Sequence, residues 1–432
     1  MTSKTSTPKE AFVWIWLPKA TEPIVAGRIE RDGERYLFNY GRSYLSNKDR
    51  LPIYLPELPL ENRQMEPIAP LEIANALRDG APDAWGRRVI INRMMGDKVT
   101  EANNPELDEL TYMLHSGSDR IGALDFQSSA TEYVARESAN TPLDVLQSSA
   151  DLVEKGLPLS KELAEVLQHG TAIGGARPKT LIENENKKYV AKFSSSTDAY
   201  SVVKAEFIAM RLAERAGLSV APASLTKALG KDVLLIERFD RERTEKGWLR
   251  RSMISALTIL ELDERLAAHA SYQDLAEKIR QRFSNPKQTL KELFARMVFN
   301  ILVGNTDDHA RNHAAFWDGE HLELTPAYDI CPQARSGMEA SQAMQLYGTE
   351  RRSQLSLCLA SSASFLVNVE EAVSIMENQV SIIARHWNDV CKEAGLSEVD
   401  RKLFWRRQFL NQLAFEGLEE HLQTQFEEIA NG

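Results

Sequence analysis

Two different periods of apolar residues divide this chain, and they limit its fold more than any other feature. In AFVWIWL (11–17), IVAGRIE (24–30) and RYLFNY (35–40) apolar and polar positions alternate, the period-two signature of short antiparallel strands. From about residue 250 the spacing lengthens to that of helices, in KELFARMVFNILVGN (291–305), VEEAVSIMENQVSIIARHWNDVCKEAG (369–395) and DRKLFWRRQFLNQLAFEGLEEHL (400–422). An α+β fold with a β-rich front and a helical rear follows. At 432 residues the chain exceeds one compact core, so two or three packed units are expected.

The middle of the chain supplies the joints. LEIANALRDGAPDAWGRRVIINRMM (71–95) turns helical near Pro82 and Trp85, and the first unit closes near DRIGALDF (119–126). After a polar and then helical stretch over 127–170, strand-like runs in TAIGGARPKTLIE, KKYVAKFSS and DVLLIERFD flank one amphipathic helix, VVKAEFIAMRLAERAGL, that stops at Gly217. That order suits a small nucleotide-holding lobe. The expected division is 1–150, a β-rich subdomain; 151–248, an ATP-holding α/β lobe; and 249–432, a helical lobe with the catalytic and metal-binding loops.

Composition narrows the class. Hydrophobic residues at 43% and charged residues at 26% are ordinary for a globular protein and exclude a disordered or fibrous chain. A net charge of -10 argues against coating nucleic acid with the chain's own surface. Any operator DNA contact is expected through a basic partner. Three scattered cysteines, Cys331, Cys358 and Cys391, suggest neither a disulfide framework nor a zinc site and read as reduced and cytoplasmic. The opening MTSKTSTPKE lacks the apolar core of a leader, and no run of about 18 apolar residues follows, so no membrane anchoring is expected.

Chemistry concentrates in NTDDHARN (305–312) and LTPAYDI (324–330). Moving a γ-phosphoryl group needs a carboxylate to orient the attacking hydroxyl and oxygen ligands to hold Mg²⁺ on the phosphates. Asp307, Asn312 and Asp329 can fill those roles, and the five-residue step from Asp307 to Asn312 matches the protein-kinase catalytic loop. A capping or turn cluster explains such a pair equally well. Lys192 lies inside an apolar strand pattern, where an ammonium is costly unless it meets an anion; an edge strand with a snorkelling lysine is the bland alternative. Glu206 on the following helix could hold it, or could be a solvated helical charge. Gly174 and Gly175 permit close backbone approach to phosphate, with Lys179 adding charge, although paired glycines most often make a hairpin turn. Glu237, Arg238 and Phe239 end an apolar strand and could read an adenine edge, with Phe239 as plain core the alternative. His309 and His313 are four apart, yet no third ligand is spaced for a metal, so His309 reads as a structural or phosphate-contacting residue.

Taken in order, GGARPK, YVAKF, LIERFDR, NTDDHARN and LTPAYDI resemble the HipA family, the kinase toxins of bacterial toxin-antitoxin pairs. FNYGRSYLSNKDRLPIYLPELPL, APDAWGRRVI and DRIGALDF resemble that family's N-terminal region. The resemblance implies a two-lobed kinase-like fold related to phosphoinositide kinases. It implies ATP and Mg²⁺ as cofactors, Asp307 as catalytic base with His309 beside it, and Asn312 and Asp329 as metal ligands. Lys192 and the loop Gly174, Gly175, Ala176, Arg177, Pro178 and Lys179 would hold the phosphates, Glu237 to Phe239 the adenine, and Tyr328 would lie close to the nucleotide. It also implies a protein substrate bearing a target serine or threonine, such as an aminoacyl-tRNA synthetase, and a helix-turn-helix antitoxin, HipB, that carries the operator DNA contact.

One position departs from the pattern. Family members commonly carry an autophosphorylated serine just before the glycine loop, and Ala172 stands there. Modification of the adjacent Thr171, control by the antitoxin alone, and an engineered change from serine all remain open. Two other functions compete with the protein kinase: a non-catalytic co-repressor partner of the antitoxin, and a kinase of small molecules or lipids.

Overall fold

The computed structural model describes residues 7–95, 107–136, 141–195, 198–334 and 339–431; the first six residues, read above for a leader, lie outside it. The chain forms two compact units, one made of residues 1–197, 226–254 and 317–320, the other of residues 198–225, 255–316 and 321–432. Helices and sheets are mixed as the two periods require.

Among the described residues the first unit holds two four-stranded sheets, besides a two-stranded antiparallel ribbon of Arg241–Thr244 and Gly247–Arg250. In the first, β1 (Glu10–Ile15), β2 (Ile24–Asp32), β3 (Arg35–Tyr40) and β4 (Leu124–Gln127) are ordered β3-β2-β1-β4. Ala11, Val13 and Ile15 alternate onto one face, as their spacing demands, and all three are buried. The second sheet orders β5 (Lys179–Glu183), β6 (Lys188–Phe193), β7 (Ala223–Ala228) and β8 (Lys231–Glu237) as β5-β6-β8-β7, with the chain re-entering this unit within β7. Three helices, α1 (Ala84–Met95), α2 (Leu143–Glu154) and α3 (Lys161–Gln168), cover it. Their apolar stripes, Trp85 and Val89, Leu146, Ala150 and Val153, and Leu167, close on Ala191, Phe193 and Val233. Ser160 starts α3 by accepting a hydrogen bond from the Leu163 amide at 3.3 Å.

A buried ionic node ties the segment before β4 to the end of β8. Asp119 receives Lys188 at 2.7 Å, Arg238 at 3.0 Å and Arg241 at 2.9 Å, while Asp240 takes Arg238 at 2.8 Å and the Gly122 amide at 2.8 Å. Burial alone would raise the Asp119 carboxyl, but Arg238, Arg241 and Lys188 hold it well below the carboxylate range. Such a node is tolerable because each of its charges meets an opposite one within 3.0 Å.

The second unit is mainly helical. Its central helices are α4 (Val202–Arg215), α5 (Tyr272–Arg282), α6 (Pro286–Leu302) and α7 (Val369–Glu393). Pro286 opens α6, and Asn368 caps α7 through the Glu371 amide at 2.8 Å. The helix that the sequence reading groups with the small lobe, α4, belongs to this unit. Arg211 reaches Glu393 on α7 at 2.8 Å, and Arg215 reaches His386 at 3.1 Å. Among the described residues no helix is long and apolar enough to cross a membrane, and the three cysteines are buried and form no disulfide.

Gly86 shows how closely the first unit is packed. A Cβ there would lie 2.0 Å from the Thr171 carbonyl oxygen, so α1 can approach the turn before β5 only without a side chain. Replacing an interior helical glycine by alanine ordinarily stabilises by about 1 kcal/mol. Gly86→Ala should instead destabilise by about 1–3 kcal/mol through overpacking, read as a lower urea midpoint.

Candidate active site

On the first unit, the glycine loop runs from a 3-10 turn, His169–Ala172, into β5, so Gly174 and Gly175 do not form a hairpin between strands. Gly175 sits at φ +102°, a conformation glycine adopts without strain. Its amide donates to Asp83 Oδ2 at 2.8 Å, and its carbonyl accepts from the Trp85 amide at 3.2 Å. Arg88 donates to the Ala176 carbonyl at 2.7 Å, and Trp85 Nε1 to the Lys179 carbonyl at 2.9 Å. The APDAWGRR segment therefore holds the loop by its backbone. Its sequence marks a helix start near Pro82 and Trp85, and nothing in it announces that Asp83 reaches a glycine amide 92 residues away.

Lys179 on β5 pairs directly with Lys192 on β6, and both are buried, 4% and 8% exposed. Directly opposed residues in an antiparallel pair point to one face, where like charges repel. Lys179 Nζ also donates to the Gly174 carbonyl, folding the loop over the pair. The snorkelling alternative for Lys192 fails because β6 is an interior strand between β5 and β8. At the end of β8, Glu237 pairs with Lys187 at 2.5 Å. The Arg238 amide is spent on the Lys188 carbonyl at 2.8 Å, and its side chain is committed to the Asp119 node. Pro178 is buried and its carbonyl accepts from the Phe193 amide at 3.0 Å, while Arg177 and Phe239 are half-buried.

Thr171 is fully buried. Its hydroxyl donates to the Gln168 carbonyl at 2.6 Å and accepts from the Gly117 amide at 3.0 Å. Ala172, beside it, is 1% exposed. Neither position is accessible to a phosphoryl donor while this turn stays packed.

On the second unit, the segment 307–313 is wound tightly after α6. The His309 amide donates to the Asp307 carbonyl at 2.9 Å and the Asn312 amide to the His309 carbonyl at 2.8 Å. Asn312 Nδ2 returns to the Asp307 carbonyl at 3.2 Å, so the two residues are joined across the five-residue step. Tyr328 donates to the Arg311 carbonyl at 2.8 Å and draws the LTPAYDI strand end to this loop. Asp329 follows at φ +58°, a left-handed conformation that Asp tolerates better than most residues and that recurs at functional sites.

The neighbouring acids differ sharply. Asp307 reaches the surface, yet partial burial pushes its carboxyl up from the ordinary range; His309 opposes that, and Asp329 and Asp308 add to it. Asp308 is fully buried, with His313 Nε2 at 3.0 Å from Oδ1 and the Tyr272 hydroxyl donating to Oδ2. Burial would raise it, but His313 and Tyr272 hold it below the carboxylate range. The sequence passed over Asp308 and Tyr272; the doubled acid in NTDDHARN is the one visible sign. His313 is turned to Asp308, which removes the His309/His313 metal pair. Among the described residues no group of three or more His, Cys, Asp or Glu could hold a metal. The oxygen set of Asp307, Asp329 and Asn312, carrying mutually repelling carboxylates, fits a hard divalent cation such as Mg²⁺. Glu206 on α4 is 2% exposed, not a solvated charge.

The family model described as HipA-like C-terminal domain matches residues 171–414, and that described as HipA N-terminal domain matches residues 20–127. The protein Y4mE of Sinorhizobium fredii is 26% identical over 319 residues, 68% of this chain and 71% of its own length. The serine/threonine-protein kinase toxin HipA of Shewanella oneidensis is 26% identical over 183 residues, 37% of this chain and 42% of its own length. Among solved structures, the Shewanella oneidensis MR-1 complex of HipA, HipB and operator DNA contains a chain with a TM-score of 0.66 at 17% identity, covering 97% of this chain and 96% of that one. At that identity the likeness speaks for a two-lobed kinase-like fold.

The raised Asp307 carboxyl has a consequence for stability. Because the folded chain holds this proton more tightly than the unfolded chain, the ionised carboxylate costs stability above its raised pKa, and the cost disappears as pH falls through it. Asp307→Asn should raise the thermal midpoint of the nucleotide-free protein near neutral pH and give no gain in acid. Calorimetry across pH checks this; an equal gain at every pH would mean that charge is not the cause.

Proposed function

This chain belongs to the HipA family, and from that premise we propose that it is an ATP- and Mg²⁺-dependent serine/threonine protein kinase, the toxin of a HipBA-type pair. The observation that carries the reading is the outward Asp307, its carboxyl pushed up by partial burial, joined through its carbonyl to Asn312. A base must be accessible and must have an affinity for the proton it takes. Asp308, saturated and buried, meets neither condition.

In this reading Asp307 accepts the proton of a substrate serine or threonine hydroxyl as its oxygen bonds to the γ-phosphorus. The bond from that phosphorus to the β,γ-bridging oxygen breaks, and ADP leaves with the electron pair. Asn312 and Asp329 would hold Mg²⁺, which when bound neutralises charge on the phosphate oxygens. Lys192 and Lys179, opposed on β6 and β5, would offset the negative charge of the triphosphate, with Gly174 to Pro178 lying along it. The peptide edge from Glu237 to Phe239 would take the adenine, and His309 and Tyr328 would flank the phosphates.

The partner and substrate belong to the same reading. A HipB-like helix-turn-helix antitoxin would hold the chain in check and carry the operator contact, which agrees with a net charge of -10. The acceptor would be a serine or threonine of a cytoplasmic translation component such as an aminoacyl-tRNA synthetase.

Asp307→Gln should lower phosphoryl transfer from radiolabelled ATP by about 10²–10⁴-fold while the fold persists. Chelating the divalent cation should silence the parent. Labelling by the variant at the parental rate would remove Asp307 from the role of base, and a phosphoproteome without new serine or threonine phosphosites would move the acceptor to small molecules.

A further inference from the structure

The kinase reading uses Asp307 and Asn312 but leaves a buried polar cluster directly behind them unexplained. Asp308, Tyr272 and His313 are 1%, 0% and 3% exposed. The Tyr272 hydroxyl donates to Asp308 Oδ2, His313 Nε2 stands 3.0 Å from Oδ1, and the two donors are 3.3 Å apart. Their rings meet edge to face at 5.4 Å between centroids. His313 Nδ1 is buried with no hydrogen-bond partner among the described residues. A carboxylate buried among apolar helices is expensive, and replacing such a group by well-packed apolar residues is often neutral or stabilising. Stability therefore does not explain why this one is present.

Its position does. Asp308 follows Asp307 in the chain and His313 follows Asn312, so the bond between Asp308 and His313 closes residues 308–313 into a ring, with Asp307 just outside one end and Asn312 just inside the other. The inner bonds alone, from Asn312 to the Asp307 and His309 carbonyls, involve short local contacts that can shear. Tyr272 is the first residue of α5, which Ser271 caps through the Gln273 amide at 3.1 Å, so the ring is anchored to a helix end. The His313 carbonyl is in turn held by the Ala256 amide at 2.8 Å.

We propose that Asp308, with Tyr272 and His313, is the positioning device of the transfer centre: it sets the separation and direction of Asp307 and Asn312 without touching substrate. The inference rests on the kinase reading and adds residues that reading does not employ. Misplacing a reacting group by about 1 Å can cost on the order of 10²-fold in rate.

The test compares the full-length parent with Asp308→Asn, Tyr272→Phe, His313→Ala and His313→Gln in steady-state phosphorylation, with Asp307→Gln as reference. Asp308→Asn should lower kcat by about 10²-fold and leave KM for ATP unchanged, because only the transition state is affected. His313→Gln, whose amide N–H can take the place of Nε2–H, should recover much of what His313→Ala loses. The double variant Asp308→Asn/His313→Ala should lose no more than the worse single one, since the two act as a unit. Thermal unfolding of each variant separates misfolding from misplacement, and Tyr272→Phe or His313→Gln carries the test should Asp308→Asn fail to fold. Folded variants with the parental kcat, or with kcat falling only in step with the folded fraction, overturn the proposal while an active parent and a silent Asp307→Gln leave the kinase reading standing. A parent that transfers no phosphate overturns both.

Discussion

A single carboxylate with no access to water, Asp119, holds the first unit together. Its charge is tolerable because Lys188, Arg238 and Arg241 converge on it from β6 and from the end of β8. Through it the segment that leads into β4 of the first sheet is joined to the second sheet. That junction fixes the backbone at 237–241, where the Arg238 amide is already bonded to β6. From the other side α1 presses on the glycine loop, with Asp83 on the Gly175 amide and Gly86 against Thr171. The N-terminal sequence is thus part of the scaffold of the loop and strands that carry Lys179 and Lys192.

Against this matched network stand two places where like charges are held close. Lys179 and Lys192 oppose each other across β5 and β6, and Asp307 feels Asp329 and Asp308 in a partly dry setting. In the proposed reading polyphosphate would bring counter-charge to the lysines, and a divalent cation would do so for the carboxylates.

Much of this was legible beforehand. The alternating runs at 11–15, 24–30 and 35–40 became strands, and the long helical runs at 291–302 and 369–393 became helices. The order of motifs was enough to identify the family. What the reading lacked were particular contacts: that α4 packs with α7 rather than sitting among the strands beside it in the chain, that Asp83 reaches Gly175, and that His313 turns to Asp308 rather than to a metal.

The sequence by itself determined the kind and order of elements, and the residue types available for phosphoryl transfer, because periodicity and motif spacing are properties of near neighbours. Only the tertiary structure decided which acid of the Asp307–Asp308 pair faces outward, and which lysines stand opposed. Two adjacent aspartates have the same chemistry in the chain; Tyr272 and His313, brought from 36 residues before and five residues after Asp308, make one a buried anchor and leave the other its proton affinity. Burial and charge depend on what long-range packing puts beside a group, and that information lies in no local stretch of sequence.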